Sequence, residues 1–101
     1  LGDVYKRQEG TQIGENVNLH KGCTIGRTNR GNVGVPKIGN CVFIGINATV
    51  VGNVMVGDDV LIAPNSYVNF DVPAHSVVIG NPATIHHREN ATERYVGFID
   101  A

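Results

Sequence analysis

The 101-residue sequence has no tryptophan, and it contains three phenylalanines and three tyrosines. A compact core of this size normally uses aromatic rings as bulky fillers. We therefore expect a narrow interior lined by smaller side chains. The 13 glycines, together with abundant valine and isoleucine, favour strands and turns over helices.

Neither sign of charge dominates the sequence. Eight Lys plus Arg residues balance nine Asp plus Glu residues, for a formal net charge of -1. This balance provides no basic field for nucleic acid. No stretch reaches about eighteen consecutive apolar residues, and no apolar core of signal-peptide length is found near the start. We expect one small cytoplasmic domain with neither a nucleic-acid partner nor a membrane contact.

The first eight residues do not follow the pattern of the rest. Residues 3–8 (DVYKRQ) resemble the in-frame translation of a transposon-end adapter used in sequencing libraries. Segments of this kind are excluded from fold reasoning. We therefore expect residues 1–8 to be a non-native remnant and the natural protein to continue upstream, so that the chain is an amino-terminally truncated fragment.

Isoleucine, leucine or valine recurs at six-residue steps along the chain, with one break. The residue four places after each is small or apolar, except Asn29 inside the break. Because the intervals of four and two are even, all these side chains fall on one face of an extended chain. A six-residue step on an α-helix turns through about 600° and would scatter them. The repeat positions are Ile13, Leu19, Ile25, Ile38, Ile44, Val50, Val56, Ile62 and Val68.

The fourth position of each six-residue repeat predicts a turn. Seven of these nine positions hold Asn, Asp or Gly, the residues that best tolerate a positive φ. A chain that turns every six residues in the same sense winds into a three-sided β-solenoid of about three coils. The positions are Asn16, Gly22, Thr28, Cys41, Asn47, Asn53, Asp59, Asn65 and Asp71.

The repeats at residues 13–17 (IGENV), 44–48 (IGINA) and 56–60 (VGDDV), followed by 73–83 (PAHSVVIGNPA), resemble the hexapeptide-repeat acyltransferases. Within that superfamily, residues 19–26 (LHKGCTIG) and 36–39 (PKIG) are most similar to serine O-acetyltransferases and their close relatives. The resemblance implies a left-handed parallel β-helix over residues 9–85, with a loop at 26–37 and a carboxyl-terminal tail at 86–101. It also implies a homotrimer with acetyl-CoA lying between subunits.

The resemblance implies an acetyl-CoA-dependent O-acetyltransferase, with serine as the first choice of acceptor and cysteine biosynthesis as its setting. Two departures bear on the acceptor. Val35 stands where enteric serine acetyltransferases carry a substrate-binding His, which weakens the serine assignment. No His lies between Gly26 and Lys37, where sugar-modifying members carry their catalytic His, which counts against a sugar acceptor. The alternatives are a sugar or capsule O-acetyltransferase and a non-catalytic trimeric β-solenoid scaffold.

The loop and two corners are the candidate coenzyme site. Residues 27–37 carry three cations and no acid, which suits either coenzyme phosphates or an ordinary surface loop. The length of this loop allows either two repeats with one extra residue between them or one repeat with a seven-residue excursion. Carried over by motif, the positions that line the pantetheine arm are Gly26, Arg27, Ile46 and Pro64. Ile46 and Pro64, eighteen residues apart, are expected to stack on one corner.

Acetyl transfer to a hydroxyl needs a base, usually a His held by a carboxylate. The resemblance places this His about one coil before residues 23–26, near Leu1 and inside the remnant, so we expect the fragment itself to be inactive. His20 follows the inward-facing Leu19 and should point outward, which makes it a surface or interface residue and a weaker catalytic candidate. His75 in the terminal turn and the pair at 86–87 in the polar tail are both interpreted as structural or solvated residues.

No metal is expected at the candidate site. The zinc pattern of γ-class carbonic anhydrases, which use the same prism, needs another His five residues before His20, and Glu15 stands there. The two cysteines are also expected to remain unpaired, since Cys23 occupies an inward position and Cys41 a corner. Free thiols fit a reducing compartment.

Overall fold

The computed structural model describes residues 6–7, 10–27 and 33–93, and within these ranges the chain forms short strands joined by turns. The strands are β1 (Lys6–Arg7), β2 (Gln12–Ile13), β3 (Val17–Leu19), β4 (Thr24–Gly26), β5 (Lys37–Ile38), β6 (Val42–Ile44), β7 (Thr49–Val51), β8 (Met55–Val56), β9 (Val60–Ile62), β10 (Tyr67–Val68), β11 (Ser76–Gly80) and β12 (Ala83–His87). No helix long and apolar enough for a membrane crossing occurs among the described residues.

The strands assemble into three sheets that form the sides of a prism. Sheet A has the order β1-β4-β7-β10, sheet B the order β2-β5-β8, and sheet C the order β12-β11-β9-β6-β3. From β1 to β10, consecutive strands visit A, B and C in turn, and the pairing between coils is parallel. The predicted β-helix is confirmed. We refer to the turns between sheets as the AB, BC and CA corners.

The interior is made by the six-residue repeat. Seven of the nine repeat positions are buried, and Ile13 and Leu19 are half-buried against the same core. The positions four residues later also point inward, with Val17 half-buried and Asn29 outside the described residues. The buried members of that second column are Cys23, Val42, Ala48, Val54, Val60, Ser66 and Val72.

The strand register resolves the long break in the repeat. Ile25 pairs with Val50, and Ile13 pairs with Ile38. The two residues of each pair are therefore 25 positions apart in the sequence. Elsewhere in the middle coils the offset is 18, as between Ile44 and Ile62. The excess of seven residues therefore falls in one turn, at the AB corner between β4 and β5. Residues 28–32 of that turn lie outside the described ranges.

Two of the three corners have the predicted left-handed turn residues. Asn16, Cys41 and Asp59 have φ between 57° and 59° at the BC corner, and Asn47 and Asn65 have φ of 60° and 64° at the CA corner. Amide and carboxylate side chains tolerate this conformation best among residues with a Cβ.

The prediction is wrong at the AB corner. Asn53 and Asp71 do not have a positive φ at this corner, and Gly52 has a φ of 93° instead. Glycine one position earlier has no Cβ to obstruct that conformation. Thr28, the third predicted turn residue at this corner, lies outside the described residues.

The last coil is shorter than the repeat predicts, and the chain then reverses. Val72 bridges to Val56, and β11 pairs with β9 at an offset of 16 residues. After a turn containing the cis Asn81–Pro82 bond, β12 runs antiparallel to β11. His86 and His87 therefore belong to a strand and not to a polar tail, because they pair with Val77 and Ser76 across the predicted boundary at 85/86.

The pairing also extends into the amino-terminal segment. Strand β1 adds to sheet A beside β4, with Lys6 opposite Thr24 and Arg7 opposite Ile25. Two residues of the segment assigned to an adapter remnant thus continue the ladder of the β-helix. The origin of residues 1–8 and the remaining domain limits stay predictions.

Candidate functional site

An exposed apolar ledge runs across two coils at the CA corner. Ile46 and Pro64 occupy equivalent positions in successive coils, and both side chains are exposed. The backbone N–H of Asn65 donates to the Ile46 carbonyl at 3.0 Å, which fixes the stack. A Cβ added to Gly45 would lie 2.7 Å from the Pro64 nitrogen, so glycine is needed for this approach. We call Ile46 and Pro64 the CA ledge.

Gly26 and Arg27 lie at the opposite edge of sheet A, at the AB corner. Gly26 ends β4 opposite Val51, and the exposed Arg27 begins the long turn. A Cβ at Gly26 would meet its nearest neighbour, Val51, at an ordinary 3.7 Å. Close packing within this chain therefore does not require glycine at that position.

Sheet A separates these two pairs of predicted coenzyme residues. The strand between the corners spans roughly 15 Å at about 3.3 Å per residue. Its outward positions include Thr24, Thr49 and the exposed Tyr67, which lie in register on neighbouring strands. Ile46 and Pro64 meet as predicted. The structure does not bring Gly26 and Arg27 to them within one chain.

His20 lies on the outer surface of the prism, in agreement with the strand alternation. It is half-buried, and its ring packs on Phe43 with a centroid separation of 4.5 Å and an interplanar angle of 42°. Within the described ranges, no carboxylate hydrogen-bonds the ring. Among the described residues, His20 therefore has no carboxylate that would hold it as a base. The His predicted near Leu1 falls outside the described residues, and the catalytic assignment stays a prediction.

A carboxylate–histidine pair that the sequence analysis did not find lies at the BC corner. Nδ1 of His75 is 2.7 Å from Oδ2 of Asp59. The same Oδ2 accepts a hydrogen bond from the Ala91 N–H at 3.0 Å. Oδ1 of Asp59 accepts from the N–H of Thr92 at 3.0 Å and from its hydroxyl at 2.8 Å. One carboxylate therefore connects the corner to a segment more than thirty residues later.

The environment shifts both titrating groups in directions that favour their charged forms. Partial burial raises the pKa of Asp59, but the hydrogen bonds from Thr92, His75 and Ala91 outweigh burial, so the pKa lies below the ordinary 3.8. The hydrogen bond to Asp59 raises the pKa of His75 above the ordinary 6.5, against opposing desolvation. The Glu89 carboxylate, 3.9 Å from Nδ1, adds to this increase.

The shortened last coil explains why this pair was missed. A constant 18-residue repeat stacks Val77 on Asp59, whereas the observed offset of 16 places His75 there. The pair could have been predicted only by combining two features: Asp59 occupies one of the predicted turn positions, and the coil before β11 is two residues shorter than the repeat. His75, which the sequence analysis interprets as structural or solvated, bonds to Asp59 through a ring that is 44% exposed.

The described residues contain no group of three or more His, Cys, Asp or Glu side chains placed to hold a metal ion. Neither cysteine forms a disulfide, and Cys23 is buried while Cys41 is half-buried at the BC corner. The seven-residue excursion lies between the two cysteines and separates their registers.

Comparison with known proteins identifies the repeat. Residues 36–69 match the family described as bacterial transferase hexapeptide (six repeats). Over 78 residues, 76% of this chain, the sequence is 40% identical to serine acetyltransferase 2 of Arabidopsis thaliana, of which it covers 24%. The chain thus spans about a quarter of the length of that relative.

Solved structures share the architecture. The serine acetyltransferase of Neisseria gonorrhoeae in complex with serine aligns with a TM-score of 0.70 at 38% identity, over 76% of this chain and 32% of that one. The serine acetyltransferase of Brucella abortus strain S19 in complex with coenzyme A aligns with a TM-score of 0.75 at 36% identity, over 81% and 33%. The prism is therefore a left-handed parallel β-helix of hexapeptide repeats.

Proposed function

We propose, from the premise that this chain belongs to the hexapeptide-repeat acyltransferase superfamily, that it is the β-helical part of an acetyl-CoA-dependent serine O-acetyltransferase. The observation that carries the proposal is the likeness to serine acetyltransferases, which extends over three quarters of the chain at about 40% identity. A cytoplasmic enzyme of cysteine biosynthesis is the corresponding setting.

The CA ledge fits the pantetheine arm of the coenzyme. That arm is a narrow chain of methylene and amide groups, and an exposed apolar strip beside strand backbone can pack along it. Ile46 and Pro64 provide such a strip. At the other edge of sheet A, Arg27 offers a guanidinium for phosphate oxygens. The coenzyme supplies the acetyl thioester, and the acceptor hydroxyl needs a base, which we place near residue 1.

A complete site requires two copies of the chain. The two pairs of predicted coenzyme residues lie on opposite edges of sheet A, so a groove between neighbouring subunits would take the CA ledge from one and the AB edge from the other. A prism of about three coils also has little core for its surface and leaves edge strands open. We therefore propose a homotrimer with acetyl-CoA between its subunits.

Coenzyme A binding to the trimeric chain, measured by isothermal titration calorimetry, tests this assignment. Ile46→Glu replaces an apolar contact with a charged side chain against the methylene groups of the pantetheine arm, so we expect affinity to fall about tenfold or more. Ile85→Glu is the matched control, because Ile85 is comparably exposed but lies on β12. Equal affinities for the two variants would contradict the assignment of the CA ledge.

The choice of acceptor is tested separately. In a thiol-release assay with acetyl-CoA, serine is compared with a panel of sugars, the alternative acceptors. Faster thiol release with a sugar would replace the serine assignment. A folded trimer that neither binds coenzyme A nor releases thiol would support the other alternative, a non-catalytic β-solenoid scaffold.

A further inference from the structure

Residues 88–93 fold back over the end of the β-helix as a compact turn. The Arg88 N–H donates to the His75 carbonyl at 2.8 Å, and the Glu93 N–H donates to the Asn90 carbonyl at 3.1 Å. Ala91 and Thr92 are 2% and 0% exposed, respectively, although the segment is polar and follows the last strand. The burial of these two residues indicates that specific contacts hold the segment against the β-helix.

Asp59 provides most of these contacts. Its carboxylate accepts all three hydrogen bonds from Ala91 and Thr92, and its side chain is 13% exposed. Hydrogen bonds to an ionised carboxylate are stronger than bonds between neutral groups. A carboxylate with four donors and little water depends on its charge being balanced nearby. The candidate for that balance is the imidazole of His75 at 2.7 Å.

We propose that Asp59 and His75 form a pH-sensitive clasp that holds residues 88–93 against the BC corner and loosens when His75 loses its proton. Two observations support this proposal: the position of His75 between the corner and the segment, and the exposure of its ring. His75 is shared between the corner and the segment, since its carbonyl accepts from Arg88 while its ring bonds to Asp59. The ring is 44% exposed, so protons reach it from solvent without unfolding of the core.

Several other groups at this corner carry or change charge. The titratable and charged groups on the elements that meet at His75 are Cys41, Asp58 and Asp59 in the adjoining turns of the BC corner, and His87, Arg88, Glu89 and Glu93 in β12 and the segment after it. Among them, Glu89 lies 3.9 Å from Nδ1 of His75 and 3.0 Å from Nε2 of His87. Asp58 adds a further negative charge. The carboxylates surrounding His75 therefore favour its protonated form.

The direction of the pH effect follows from the two titrating groups. The pKa of His75 is raised by folding, so its contribution is complete below the ordinary 6.5 and is lost as pH rises through the folded value. The pKa of Asp59 is lowered by folding, so its contribution is present above the ordinary 3.8 and is lost as pH falls through the folded value. The clasp is tightest between these two limits.

Amide hydrogen exchange of the full chain measures the clasp directly. The Ala91 and Thr92 amides report on it, and the Thr49 amide, bonded to the Ser66 carbonyl at 2.8 Å between β7 and β10, is the internal reference. We expect protection of the two clasp amides, corrected for intrinsic rates, to be about two- to fivefold higher at pH 5.5 than at pH 8. Protection of Thr49 should not follow this change.

Three variants separate the clasp from general stability. Asp59→Asn should lower protection of Ala91 and Thr92 about tenfold or more at pH 5.5. His75→Asn keeps a side chain that tolerates the φ of 58° and should abolish the pH dependence. His86→Asn is the matched control and should retain the dependence, because the His86 ring bonds to Thr84 and, within residues 10–27 and 33–93, to no carboxylate.

Two results would overturn the proposal. One is equal protection of Ala91 and Thr92 at pH 5.5 and pH 8 in the unmodified chain, which decides the matter even if a variant fails to fold. The other is a pH dependence that persists in His75→Asn. Neither result bears on coenzyme binding at the CA ledge, so the clasp and the proposed function fail independently.

Discussion

Two adjacent residues of strand β8 test whether the six-residue repeat positions point into the prism. Val56 is 1% exposed and points into the prism, whereas its neighbour Met55 is 58% exposed and points out. An aspartate at position 56 must stay protonated or carry a charge into a core of valine and isoleucine. Holding an acid with an ordinary pKa of about 3.9 neutral at pH 7 costs about 4 kcal/mol. Lost burial of the valine adds about 1.5–3 kcal/mol.

We therefore expect Val56→Asp to lower the free energy of unfolding by about 6 kcal/mol, a large part of the 5–15 kcal/mol that stabilises a typical domain. Met55→Asp, beside Lys37 and near Asp71, should change it by less than about 1 kcal/mol. Urea unfolding followed by circular dichroism measures both variants. The deficit of Val56→Asp should shrink by about 2.7 kcal/mol between pH 7 and pH 5. Equal effects of the two variants would refute the inward assignment.

Three further predictions concern the turns and the thiols. Gly39→Ala should lower the free energy of unfolding by about 1–3 kcal/mol, because its Cβ would lie 2.9 Å from the Gly57 backbone, whereas Gly26→Ala should be nearly neutral in the same urea titration. Asn47→Val should cost about 1–3 kcal/mol through strain at a φ of 60°, and Asn47→Gly should not; equal melting temperatures would contradict this. In native protein, a thiol reagent should modify the half-buried Cys41 well before the buried Cys23, and simultaneous reaction would contradict the assigned positions.

The regular part of the fold could be predicted because it repeats. Alternating intervals of four and two residues define one apolar face, and Asn or Asp at the corners marks where the chain turns. The structure confirms this for positions such as Ile44, Ile62 and Asn47. Each repeat adopts the same geometry, so every copy of the pattern in the sequence supports the same prediction.

The irregular parts could not be predicted, because each occurs once. The seven-residue excursion needed the pairing of Ile25 with Val50 before it could be assigned to one corner. The two-residue shortening of the last coil and the reversal at Asn81–Pro82 leave no periodic signal. The Asp59–His75 pair depends on the shortening, and the bonds from Ala91 and Thr92 to Asp59 depend on the returning segment, so this site became visible only with the structure.

The proposed function is tested most directly by thiol release from acetyl-CoA, using protein expressed with its natural sequence ahead of residue 9. We predict serine-dependent thiol release at an enzymatic rate, and none from the 101-residue chain, because we place the base upstream. A folded trimer of the extended protein that neither binds coenzyme A nor releases thiol with serine would contradict the assignment.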